Sequence, residues 1–148
     1  MKGWLIGGAV SVLMLIVAPF VLLAVYLKVE DAPRGSFLYH TGIPGYVKAM
    51  PVLEVCGDDP LYSYEGRDGE RTAFGDVTYR SALAVSDAKD VMTKALVPLG
   101  CDLRDSYASG QSFTCGLYLS VNVTMIAGDE CTDLRISLVG DGPLPAMQ

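Results

Sequence analysis

FTCGLYLSVNVTMIAGDECTDLRISL, residues 113–138, alternates apolar and polar side chains through Phe113, Cys115, Leu117, Leu119, Val121, Val123 and Met125. It pauses at Ala127-Gly128-Asp129-Glu130 and resumes at Leu134, Ile136 and Leu138. A period of two sorts side chains onto the two faces of an extended chain, so the pattern predicts one strand over 113–125 and a second returning from the turn. Pairing Ile126 with Cys131 aligns Val123 with Leu134, Val121 with Ile136 and Leu119 with Leu138, which gathers the apolar side chains on one face. A hairpin with one apolar face needs a cover.

The cover is expected just upstream. Ala88, Val91, Met92, Ala95, Leu96 and Leu99 recur at helical spacing, Ser86 and Asp87 are candidate caps, and Gly100 stands where a left-handed terminating residue belongs. Pro98 agrees with an early stop. Further upstream, 61–64 and 72–83 read as two arms of a hairpin around Asp68-Gly69, with a break in the second arm near Gly75-Asp76. Residues 50–56 read as a strand ending at the turn Gly57-Asp58-Asp59-Pro60, and the segment between Gly100 and Phe113 as a polar loop. The last residues, 141–148, hold two prolines and little to bury, which predicts a flexible tail. The expected fold is α+β: a small antiparallel sheet packed by a single helix.

Four cysteines, Cys56, Cys101, Cys115 and Cys131, allow three pairings. In the expected register Cys115 faces position 142, roughly 35 Å along the strand from Cys131, which disfavours joining those two. Of the remaining choices, Cys101 with Cys115 ties the helix end to the following strand and leaves Cys56 with Cys131. Such a staple contributes about 3 kcal/mol by restricting the unfolded chain. A four-cysteine zinc site needs close pairs of the Cys-x-x-Cys kind, which this spacing does not offer.

Residues 4–27 form a run of 24 without a charged side chain, 14 of them Leu, Ile, Val or Phe. As a helix the run would span roughly 36 Å, enough for a bilayer core with tilt. Lys2 and Lys28 bracket it, and Trp4 and Tyr26 sit where amphipathic rings favour the headgroup layer. No small-x-small cleavage pattern follows Leu27, so residues 1–29 are expected to stay as a transmembrane anchor rather than leave as a signal peptide. Gly3, Gly7 and Ser11 recur every four residues and predict a stripe for close helix packing. Basic residues flank the run almost evenly, so orientation rests on the cysteines. An even number beyond the run favours an oxidising compartment, with the amino terminus cytoplasmic and the domain over 51–140 exported across a bacterial inner membrane.

Between anchor and domain, residues 30–50 read as a connector rich in Pro and Gly. It is too aromatic for a plain linker, and Phe37, Tyr39, His40 and Tyr46 are expected to dock on the membrane surface, on the chain's own domain or on a neighbouring subunit.

The 148 residues carry 11 basic and 17 acidic side chains, a formal charge of -6 that is poorly suited to nucleic acid. Hydrophobic residues make up 51% of the chain, too many for a disordered chain as its main content. His40 is the single histidine, and no phosphate-binding glycine loop or nucleophile elbow is present. The acid pairs Asp58-Asp59 and Asp129-Glu130 fall in turns and match no calcium-loop spacing. The expectation is therefore a non-catalytic protein without cofactor or metal. It would be an accessory subunit or assembly factor whose partners are the bilayer and integral membrane proteins of a larger complex. A tethered binding module of the inhibitor or immunity kind is the other reading, since an acidic surface suits a basic partner.

Overall fold

The computed structural model describes residues 17, 28–67, 70–140 and 144. The expected anchor, with Gly3, Gly7 and Ser11, lies almost wholly outside the described residues. Among those that are described, no helix is long and apolar enough to cross a membrane. Lys28 and Val29, expected to close the anchor, instead open strand β1 (Lys28–Pro33).

The hairpin read from 113–138 forms with two corrections. The single strand expected over 113–125 is two, β5 (Gly110–Cys115) and β6 (Leu119–Ala127), separated by a turn at 116–118. Gly116 supplies the positive φ of 64° that the turn needs. Cys115 and Leu119 end up directly opposite each other, so both keep the same face. The apolar alternation therefore runs through the turn without a break in phase, and Leu117 at its tip counterfeits a core position. In the second correction, β6 pairs β7 (Thr132–Val139) two residues away from the expected register: Val123 meets Ile136, Met125 meets Leu134 and Val121 meets Leu138. An even shift keeps every side chain on its face. It also places Thr132 in the ladder opposite Ala127 and leaves Cys131 in the turn, closed by the Gly128 N–H donating to the Cys131 carbonyl at 2.9 Å.

The hairpin expected around Asp68-Gly69 is β2 (Leu61–Glu65) with β3 (Phe74–Ser81). β3 runs unbroken through Gly75. A Cβ there would lie 2.7 Å from Val47 Cγ2, so the glycine marks a close approach from above the sheet and not a bulge. The segment expected to be a loop contains β4 (Cys101–Tyr107), which pairs with β5 alone. An edge strand needs no apolar alternation, and Asp102, Arg104 and Asp105 discourage further pairing along it. Residues 50–56 make only the bridge Val55 to Ser81, supported by Cys56 N–H to Arg80 O and Ala82 N–H to Glu54 O, both 2.8 Å. β2 begins opposite Thr78, so beyond that point one side of β3 is vacant for a short stretch only.

Seven strands thus join in the order β1-β2-β3-β7-β6-β5-β4, every neighbour antiparallel. At about 4.8 Å per spacing the sheet is about 29 Å wide, whereas one helix covers about 10 Å. This width is why the single expected helix does not suffice. The connector supplies the rest: α1 (Phe37–Gly42) lies against β1, and α2 (Gly45–Lys48) against β2 and β3. Val29, Ala32, Tyr39, Ile43, Val47 and Met50 are all buried in the common core, so 30–50 belongs to the folded unit.

The predicted helix is α3 (Val85–Leu96), continued by a 3-10 turn at Val97–Leu99 and ended by Gly100 with φ 82°. It buries Ala88, Met92 and Leu96 and leaves Val91 exposed. Ala84, not Ser86 or Asp87, occupies the N-cap and gives no side-chain bond. Asp87 instead lies in the first turn, where its charge favours the helix dipole. Leu144 is completely buried, so the expected flexible tail contributes at least one side chain to the core.

Two disulfides are present. Cys101 and Cys115 face each other across the β4–β5 ladder with Cα atoms 4.0 Å apart, a cross-strand contact that depends on the strand missed in the sequence. Cys56 joins Cys131, Cα to Cα 6.2 Å, tying the segment before β2 to the β6–β7 turn.

Candidate functional site

Strand alternation decides what each face of the sheet carries. Tyr62, Val77, Tyr79, Ile136, Val121 and Phe113 point toward the helices. Their neighbours Ser63, Asp76, Thr78, Arg135, Ser137, Asn122, Thr124, Ser112 and Thr114 fall on the other face, which none of the three helices covers. Hydroxyl and amide groups can be left half-wetted at little cost, which is how an antiparallel sheet tolerates one naked side.

At its centre is a charged cluster. Asp76 Oδ2 accepts from Arg135 Nε at 2.7 Å and also from Arg135 Nη2, while Asp76 Oδ1 accepts from Ser137 Oγ at 2.7 Å. Asp76 stands opposite Ser137 in the β3–β7 ladder, and Arg135 opposite Thr78, so the ion pair is diagonal. The Asp76 side chain is 8% exposed and that of Arg135 57%, so the acid is the buried member and the guanidinium retains donors for an outside acceptor. Its hydrogen bond to Asp76, and then the carboxylate's charge, hold the Arg135 pKa above its ordinary value, so it is a permanent cation.

Arg135 borders two depressions. One, about 510 Å³, is lined by Leu61, Thr78, Thr124 and Ile126 with Asp58, Asp59 and Asp133. The other, about 390 Å³, lies toward β1 between Glu30, Ser63, Phe74 and Asp76. The first opens onto a sheet end where the Cys56–Cys131 bond draws two turns together. This brings both acid pairs noted in the sequence, Asp58-Asp59 and Asp129-Glu130, to one end of the molecule. Among the described residues no group of His, Cys, Asp and Glu is arranged to hold a metal ion.

The aromatic residues expected to dock are divided. Tyr39 is a core residue, edge-on to Tyr62 at 4.8 Å and to His40 at 5.4 Å, with Lys48 Nζ 5.2 Å from its ring centre. Burial, and then the neighbouring Tyr39, push the Tyr62 phenol above its ordinary pKa. Tyr46 is half-buried and edge-on to Tyr64 at 6.4 Å. Phe37 and His40 are exposed. Two of the four therefore dock on the chain's own domain, because a short helix must turn one side toward the sheet it covers.

The sequence reading passed over Asp76, Arg135 and Ser137. Their signal in the sequence is polar residues in phase on two strands, but nothing in the sequence pattern makes β3 and β7 neighbours. Comparisons with known protein families, curated proteins and solved structures find no match for the chain.

Proposed function

We propose that the chain is a non-catalytic single-pass accessory subunit or assembly factor of a bacterial membrane protein complex, with its amino terminus cytoplasmic and its stapled domain in the periplasm or outside the cell. One observation supports this most. β1 begins at Lys28, immediately after the apolar run, at one end of the sheet, and the grooved acidic turns lie at the other. A tether at one pole leaves the opposite pole and the helix-free face presented to a neighbour. Two disulfides favour an oxidising compartment.

Affinity purification of the full chain from native membranes, with mass spectrometry of what accompanies it, tests the reading. An integral membrane partner is expected, and Ile126→Glu, at a position 59% exposed in the depression beside Arg135, should lower its recovery several-fold while the fold is retained. A solubilised chain that runs alone as a monomer, or one recovered from the aqueous fraction, refutes it. The acidic pole favours a second reading, a tethered inhibitor or immunity module for a basic partner. A soluble form separates the two, and it must begin no later than Lys28, because β1 supplies Val29 and Ala32 to the core. Such a form keeps its partner under the second reading and loses it under the first.

A further inference from the structure

Ladder partners trace one row across the whole sheet: Lys28, Glu65, Phe74, Val139, Ser120, Thr114, Asp102. The row marks the end of the sheet at which the apolar run 4–27 meets β1. Beyond it project the 3-10 turn before β4 and the β5–β6 turn. The β5–β6 turn places Leu117 at 87% exposure and Tyr118 at 76%. Val97 on the 3-10 turn and Val139 at the exit of β7 are exposed at the same end. Nothing in the sheet demands apolar side chains there, since a three-residue turn is ordinarily polar. The opposite end carries Asp58, Asp59, Asp129 and Glu130.

We propose that the turn at 116–118 is a second membrane contact, seated in the lipid interface beside the tether and holding the strands upright on the bilayer. The inference rests on the tethered reading above. It also explains the two poles: leucine and tyrosine suit the boundary between acyl chains and headgroups, where a tyrosine ring keeps its hydroxyl wet. The turn lies between the fifth and sixth strands of the row, about 22 Å from β1 at 4.8 Å per spacing. A second foothold at that distance resists the rocking that a lone tether allows. Its occupant is a phospholipid surface.

The test uses the full chain in lipid nanodiscs, carrying Trp4→Phe to clear the background. Leu117→Trp reports on the turn, Tyr118→Trp repeats the measurement, and Phe37→Trp reports on the opposite end. With lipids brominated near the headgroup, probes at 117 and 118 should lose about half of their emission, as side chains seated within about 10 Å of that boundary do. The probe at 37 should be unaffected. Retention of the chain in the disc with both turn probes unquenched, or with position 37 quenched equally, overturns the second contact and leaves the tether standing. Release of the chain from the lipid overturns both.

Discussion

Removing the guanidinium of Arg135 should cost the domain more than neutralising the acid it holds, although both changes break the same ion pair. Arg135→Met leaves a carboxylate whose side chain is 8% exposed with Ser137 Oγ as its remaining partner. Stranding a buried charge costs about 3 to 5 kcal/mol, and the depression beside Asp76 admits some water, so about 3 kcal/mol is expected. Asp76→Asn leaves a guanidinium more than half exposed, which rehydrates, while the amide oxygen can still accept from Ser137. After discounting for that exposure the loss should be about 1 kcal/mol. The double variant strands nothing and should be more stable than Arg135→Met alone by about 1 to 2 kcal/mol. Urea unfolding followed by far-ultraviolet circular dichroism, with the disulfides intact, measures all four proteins. Equal losses for the two single variants, or strict additivity in the double, would refute the assignment of Asp76 as the buried partner.

Gly75→Ala should lose about 1 to 3 kcal/mol because its Cβ would press on Val47 Cγ2, and Val47→Ala in the same chain should recover part of that loss, read from the urea midpoints. The Tyr79 hydroxyl accepts from the Leu53 N–H at 3.1 Å, and burial raises its pKa from the ordinary 10.0 to about 12. Its stabilisation is complete below pH 10 and is lost as pH rises toward 12, because the unfolded chain ionises first. The limit is about 2 to 3 kcal/mol, and Tyr79→Phe should flatten that alkaline decline. Removing the Cys56–Cys131 bond by paired Ala substitution frees a separation of 75 residues and should cost about 4 kcal/mol, against about 3 kcal/mol for the 14-residue Cys101–Cys115 separation. Unreduced peptide mapping should return these two pairs, and mixed pairs would contradict the β4–β5 register.

The sheet was legible where burial imposes a strict period. Val121, Val123, Leu134 and Ile136 declare their strands because one face of each meets the core. The pairing of β2 with β3 was also readable, as two arms on either side of a polar stretch, although Asp68-Gly69 at its centre lies outside the described residues. Elements at the margin escaped for physical reasons. β4 is an edge, so its charges carry no alternation, and β1 is short, bulged between Val29 and Ala32, charged at Lys28, Glu30 and Asp31, and follows the apolar run directly. The turn at 116–118 was hidden because an exposed leucine happened to fall in phase. α1 and α2 are too short for a helical period, so Tyr39 and Val47 looked like a linker's aromatic and aliphatic content when they are the lid over three strands. The Asp76–Arg135 pair could be found only once β3 and β7 were recognised as neighbours, a contact spanning 59 positions in the chain.

β1 meets the apolar run without a spacer and is bonded along one side only, to β2. A pull delivered through Lys28 along the strand axis, against a load gripping the acidic end, stretches the β1–β2 hydrogen bonds side by side in shear. Bonds loaded in parallel share the force and resist it together, whereas a peel would break them one at a time. With the run held in a bilayer as proposed above, the missing spacer would load this edge strand in shear and not in peel.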